Sequence, residues 1–198
     1  IKMNIWAYAR VDTVKPSYLD ALKQAGVNWL ALGIESGSQH VRDGVTKGRF
    51  KVDDIHKTVK AIQSAGINVI GNYIFGLPDD TEESMKETLD MAVELNCEFA
   101  NFYSAMAYPG SALYTQTPKE DLPENYLGYS QHSYETKPLK TKTVSNARVL
   151  QIRDEAHRAY FQGPSYLAMV KSRFGQKGLQ MIEAMNKKSI KRKLYDVR

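Results

Sequence analysis

Two textures of apolar residue alternate along the first half of the chain. Three stretches are apolar almost throughout: 27–35 (VNWLALGIE), 67–75 (INVIGNYIF) and 98–106 (EFANFYSAM). Runs of that kind predict strands buried on both faces. A shorter aromatic-rich run at 3–10 (MNIWAYAR) predicts a strand ahead of them. Between the strands the spacing turns helical. Tyr18, Leu19 and Leu22 follow Pro16 and stop at Gly26. Val41 and Val45 predict a short helix near 38–45. Ile55, Val59 and Ile62 mark a helix over 53–65 that stops at Gly66. Met85, Leu89, Met91, Ala92 and Leu95 mark another, capped by Thr81 with Glu82 and Glu83 in its first turn. Strand and helix thus repeat four times over 3–106, less the last helix. That order predicts a parallel sheet with right-handed crossovers, in a (β/α) barrel or a doubly wound sheet. No GxGxxG follows the first strand, so a dinucleotide fold has little support.

After residue 116 the texture changes. Residues 117–145 hold Pro118, Pro123, Gly128 and Pro138 among Tyr126, Tyr129 and Tyr134, and read as an irregular ordered loop. Residues 146–198 read as a helical extension: 146–162, a second helix from Pro164 to about 173, and a third over 176–194. The chain divides accordingly into 1–116, 117–145 and 146–198.

Charge is uneven. Residues 144–198 carry 12 Lys and Arg against 4 Asp and Glu, while residues 1–143 carry 15 against 18. The basic excess, with Lys187, Lys188, Lys191, Arg192 and Lys193, reads as a solvated helix end more readily than as a nucleic-acid surface. No run of about 18 apolar residues could span a membrane. The single cysteine, Cys97, excludes an internal disulfide and cannot alone hold zinc or an iron–sulfur cluster. It fits a cytoplasmic setting. His40, His56, His132 and His157 have no partners at metal-ligand spacing. The chain opens on Ile1, already close to a strand, which suggests a piece of a longer protein.

Parallel α/β sheets hold ligands at the C-terminal ends of their strands. Those ends carry Tyr8 and Arg10; Glu35, Ser36 and Gly37; Asn72, Ile74 and Gly76; and Tyr103, Ala105 and Met106. A carboxylate ending an apolar strand needs a reason. Glu35 either faces a ligand or pairs with Arg10 or Lys47. Asn72 shares a strand face with Ile74 and either reaches a ligand hydroxyl or satisfies a buried backbone group. Ser36-Gly37-Ser38 would let the chain clear a ligand, and Gly76 would let one approach.

"GIESGSQ", then "GRFKVDDIHKTVKAIQSAGINVIGNYIFGLPDDTEES", then "AYPGSALY" closely resemble the C-terminal half of the radical SAM catalytic barrel. The nearest branch looks like the cobalamin-associated one, with the anaerobic magnesium-protoporphyrin ester cyclases. The resemblance covers about residues 3–115. It implies about four strands of a partial (β/α)₆ barrel with a C-terminal helical extension. It also implies S-adenosylmethionine cleaved at a [4Fe–4S] cluster to a 5′-deoxyadenosyl radical, in an oxidoreductase or methyltransferase, and it leaves cobalamin an open question. By position it implies that Glu35 bonds the ribose, Asn72 makes the second ribose-side contact, and Ile74 lies against adenine within Asn72-Tyr73-Ile74-Phe75-Gly76. Lys47 matches the residue that pairs with the methionine carboxylate, and Arg10 or Tyr8 the polar position near the amino group. Ala105 and Met106 match the adenine edge.

The family's CxxxCxxC is absent, as are two strands of its barrel. The chain alone is therefore expected to be inactive, with the cluster ligands and the N-terminal half of the barrel supplied from outside it. The unpaired edge at 3–10 favours self-association. The substrate is unidentified. Tyr126, Tyr129 and Tyr134 are candidates to stack on a large planar one, though packing is their commoner role. The alternative reading is a non-catalytic half-barrel that binds a partner protein or RNA. A barrel acting on a phosphorylated substrate is weaker, because "YPGSALY" makes a poor phosphate loop.

Overall fold

The structure, a computed structural model, describes residues 3–45 and 50–196. Its order is β1 (Ile5–Arg10), α1 (Pro16–Gln24), β2 (Val27–Glu35), α2 (Gln39–Val45), α3 (Val52–Ser64), β3 (Asn68–Phe75), α4 (Glu82–Leu95), β4 (Phe99–Ser104), α5 (Ala112–Gln116), α6 (Asn146–Gln162) and α7 (Pro164–Asn186). The four strands form one parallel sheet in the order β1-β2-β3-β4. This is the α/β arrangement expected of a partial barrel with a helical C-terminal end.

The period-2 rule sorts the two faces. Leu30, Leu32 and Ile34 of β2, Val69, Tyr73 and Phe75 of β3, and Ala100 and Phe102 of β4 meet the helices in one core. Ile55, Val59 and Ile62 of α3 and Met85, Met91, Ala92 and Leu95 of α4 supply the other side. The opposite face carries Trp6, Tyr8 and Arg10 of β1 and Phe99, Asn101 and Tyr103 of β4. On β1 it is bare, with Trp6 57% and Tyr8 79% exposed.

The two edges of the sheet differ. No described strand pairs with the outer edge of β1. The outer edge of β4 has no strand either, yet side chains satisfy its backbone. Tyr160 donates to the carbonyl of Cys97 (2.6 Å), Tyr166 to Glu98 (3.2 Å) and Arg153 to Phe102 (2.6 Å). The Gln131 amide bonds Ser104 twice, accepting from its N–H and donating to its carbonyl, both at 2.9 Å. Gln131 thereby does for one residue what a neighbouring strand would do.

Helix α7 packs across the N-terminal ends of the strands. Arg173 reaches Asn68 (3.0 Å) and the buried Glu98 (2.9 Å), and Phe174 stacks on Trp29 at 5.9 Å. It breaks at Gly175, whose φ of 69° and ψ of −170° are not helical.

Several expectations need correction. β1 begins at Ile5, and β4 ends at Ser104, so Ala105 and Met106 lie beyond it. A short helix occupies Ala112–Gln116, where Ser111 caps the Tyr114 amide. The last helix ends at Asn186 instead of 194. Arg192 is no solvated residue: it is 0% exposed. Its guanidinium pairs with Asp154 at 2.8 and 3.0 Å and bonds Thr136 and the carbonyls of Ser133 and Gln131. A basic residue inside a tail of lysines looks solvated in sequence, and only the fold shows the loop that wraps it.

Candidate functional site

The register places four residues in one row on the bare face: Arg10, Gly33, Asn72 and Asn101 are successive Cα partners across the sheet. One position higher, Ile74 pairs with Tyr103. β2 departs from regular register between Gly33 and Glu35, and Glu35 has a φ of 68°. That left-handed conformation is costly for a residue with a Cβ. It turns the side chain back along its own strand. A Cβ added to Gly33 would stand 2.7 Å from Glu35 Oε1. The Glu35 carboxylate therefore lies over Gly33, beside Asn72.

Two side chains hold this turn. Arg42, buried on α2, donates to the carbonyls of Ser36 (2.5 Å) and Gly37 (3.1 Å) and to Gln39 (2.7 Å). Thr88 of α4 accepts from the Gly37 amide (2.9 Å) and bonds the Ser36 hydroxyl (3.2 Å). Ser36 is itself buried. Gly37 lacks a Cβ because the backbone at Glu87 and Thr88 occupies that space. The Ser-Gly-Ser stretch thus docks the loop on α4; clearing a ligand is not what its glycine is for. Gly76 needs the same correction. Its missing Cβ makes room for Val149 of α6, on the helix side.

Among the described residues the carboxylate at the centre of the row has no partner. No described residue donates a hydrogen bond or forms an ion pair with Glu35. Arg10 is in register with Gly33, yet its guanidinium turns to Asp12 at 3.0 and 2.8 Å, so the expected Glu35–Arg10 pair does not form. Lys47 lies outside the described residues. Burial without a partner pushes the Glu35 carboxyl above its usual range.

Asn72 does satisfy a backbone group, donating to the Leu32 carbonyl (3.1 Å), while its own oxygen accepts from Asn101 (2.9 Å). The two amides form a short polar ladder beside Glu35. Ile74 is half-buried and packs with Val41, Leu77, Ala105 and Leu139 in a small apolar cluster above the row. Ala105 adjoins β3 through a bond from its amide to the Phe75 carbonyl (2.8 Å), and Met106 is buried. The loop after β3 is fixed by Asp80, which accepts from the amides of Gly76 and Leu77 and from Ser84 at 2.6–3.0 Å.

The tyrosines of the irregular segment take separate places. Tyr129 stacks on Tyr108 at 6.0 Å, whereas Tyr126 and Tyr134 are exposed. His157 packs against Phe161 (4.7 Å), and burial beside Arg153 lowers its pKa to about 4. Among the described residues no group of three His, Cys, Asp or Glu could hold a metal ion. Cys97 is buried, and desolvation raises its thiol pKa to about 12. Among the described residues no helix is long and apolar enough to cross a membrane.

Sequence reasoning singled out Glu35, Asn72 and Ile74, which the structure brings together at one end of the sheet, and passed over Arg42, Thr88 and Asn101. Asn101 was within reach, being the polar residue at equal height on the next strand. Arg42 sits beside the apolar stripe of its own helix and gave no signal.

Comparison with known proteins shows what the chain is similar to. The family model described as the radical SAM superfamily matches residues 7–92. An uncharacterized methyltransferase of Pyrococcus horikoshii is 27% identical over 163 residues, which is 81% of this chain and 35% of that protein. The anaerobic magnesium-protoporphyrin IX monomethyl ester cyclase of Rubrivivax gelatinosus is 24% identical over 182 residues, 90% of this chain and 32% of that one. Among solved structures, the cobalamin-dependent S-adenosylmethionine radical enzyme OxsB with aqua-cobalamin bound superposes with a TM-score of 0.56 at 15% identity, covering 94% of this chain and 34% of that one. The chain spans about a third of the length of these relatives.

Proposed function

We propose that this chain, whose residues 7–92 match the radical SAM superfamily model, forms the part of a methyltransferase or oxidoreductase barrel that grips the nucleoside of S-adenosylmethionine. The observation that carries the reading is the Glu35 carboxylate: desolvated, without a partner among the described residues, and held over Gly33 by a strained backbone. An acceptor in that state suits a ligand that brings two adjacent hydroxyl donors, as a ribose does. Asn72 and Asn101 add amide groups at the same height. Ile74 and its cluster offer an apolar wall for a flat base. Arg10 and Tyr8 stand at the β1 end of the row, where the methionine part would extend, and Met106 stands near the base.

These residues fit the nucleoside. They do not fit the iron–sulfur cluster, because the one cysteine is buried with its thiol protonated. No step is assigned to a cluster in this chain, and no residue of it is assigned to cobalamin. S-adenosylmethionine supplies radical or methyl-transfer chemistry when bound. The chain's own residues orient it: Glu35 accepts from the ribose, the Asn72–Asn101 ladder beside it keeps the row polar, and Ile74 screens the base from water. The cluster ligands and the strands that cover Trp6 and Tyr8 belong, in this proposal, to a further length of barrel that pairs with β1, as would any cobalamin site.

Calorimetric titration with S-adenosylmethionine tests the reading. Glu35→Ala is expected to weaken binding at least tenfold, by removing charge-assisted hydrogen bonds worth about 1.5–3 kcal/mol. Unchanged affinity in Glu35→Ala, or no binding by the unaltered chain, overturns it.

A further inference from the structure

A cavity of about 460 Å³ runs along the outer edge of β4. One wall is the strand, with Phe99, Asn101 and Tyr103; another is α6, with Arg153, His157 and Arg158. The third is the chain just after α7, Lys187 to Ile190. This third wall is pinned at both ends. Asn186 Nδ2 donates to the Phe161 carbonyl (2.8 Å) before it, and Arg192 is locked on Asp154 after it. It is a built wall and not a loose tail.

The cavity is positive. Arg158, Lys187 and Lys188 make no ion pair with any described residue. Asp154, the one carboxylate in the lining, is consumed by Arg192, Tyr195 (2.7 Å) and Arg153. Its surfaces are also flat and apolar. Tyr103 remains 37% exposed, and the His157 ring is uncharged at neutral pH. A cavity of this size, with aromatic walls and a rim of cations lacking counter-charges, suits a ring that carries an acid group. Asn101 joins it to the nucleoside row through its bond to Asn72 (2.9 Å).

We propose that this cavity binds an aromatic anion, a carboxylate or phosphate on a flat ring, and so receives the acidic end of the substrate. That role as a substrate site rests on the nucleoside reading of the adjoining row. Arg158, Lys187 and Lys188 meet the acid, and Tyr103 and His157 flank the ring.

The test is calorimetric titration of the chain with 2-naphthoate, 2-naphthyl phosphate and neutral 2-naphthalenemethanol, each repeated with S-adenosylmethionine as a separate ligand. Both anions are expected to bind at least tenfold more tightly than the alcohol, and less tightly as salt rises. Lys187→Glu with Lys188→Glu is expected to weaken the anions at least tenfold and leave S-adenosylmethionine binding unchanged. Arg158→Glu, on a different wall, is expected to act in the same direction. Tighter binding of the phosphate would point to a nucleotide-like substrate, and tighter binding of the carboxylate to an organic acid; either supports the site. Equal binding of alcohol and anions, or anion binding indifferent to both sets of reversals, overturns it. Anion binding without S-adenosylmethionine binding would keep the site and remove the nucleoside reading. The reverse would remove the site alone.

Discussion

Folding takes the carboxylate of Glu35 out of water without giving it a partner among the described residues, and it adds a left-handed backbone. Both are costs to the folded state. They have a measurable signature, because a carboxyl whose pKa is raised on folding binds more protons folded than unfolded. Its stability penalty is absent below the unfolded value, about 4.3, grows as pH rises from there to the raised folded value, and is constant above it. Glu35→Gln is therefore expected to be more stable than the unaltered chain at pH 7, and the difference should vanish near pH 4. Urea unfolding at both pH values checks it, and a penalty independent of pH would contradict the burial argument. On the proposed reading, Glu35 exchanges stability for a ligand contact. Glu35 was legible because a carboxylate interrupts an apolar pattern. The residues that shape its turn were not. Arg42 acts through backbone carbonyls and Thr88 through the Ser36 hydroxyl 52 residues away and the Gly37 amide 51 away, and no periodicity records such bonds.

At the scale of elements, the helical stripes and buried runs placed β2 and α6 at their observed bounds. They did so because each element buries one face or both, and burial imposes the period. The chain ends of elements were less legible. β4 stops at Ser104 because the edge of the sheet is completed there by Gln131, a side chain from a loop 27 residues on. Gln131→Ala removes that pairing and leaves a buried amide and carbonyl without their partner. The expected loss is about 1–3 kcal/mol, with faster hydrogen exchange at the Ser104 amide and little change at Asn72. The break in α7 is a clearer case. Gly175 adopts φ 69°, ψ −170°, a region essentially closed to residues with a Cβ, while a Cβ there would meet nothing within 4 Å. Gly175→Ala thus isolates backbone strain from packing. The expected loss is about 1–3 kcal/mol, read as a lower thermal midpoint, and a neutral result would mean that the two halves of α7 can merge into one helix.

At the scale of the whole molecule, the two edges of the sheet have opposite fates. The β1 edge stays bare, with Trp6 and Tyr8 in solvent, and the proposal assigns it to further barrel. The β4 edge is closed by the C-terminal third, and the last lock on that closure is Arg192. Burial alone would raise the Asp154 carboxyl; hydrogen bonds from Arg192, Tyr195 and Arg153 outweigh it and hold the pKa below the usual range. A depressed folded pKa gives stability that is present above the unfolded value, about 3.9, and lost as pH falls through the folded one. Arg192→Met keeps much of the volume and removes the twin bonds, leaving Asp154 with Arg153 and Tyr195 only. Breaking a buried pair from one side costs about 3–5 kcal/mol, and the surviving partners place the expected loss at the lower end. Two outcomes should accompany it in denaturant unfolding: a large loss at pH 7, and a smaller difference from the unaltered chain as pH falls below 3.9. The wall from Lys187 to Ile190 would lose one of its two pins, so binding of 2-naphthoate should weaken together with stability. S-adenosylmethionine binding should hold wherever the sheet remains folded, since Glu35 and Asn72 lie on strands that Arg192 does not touch.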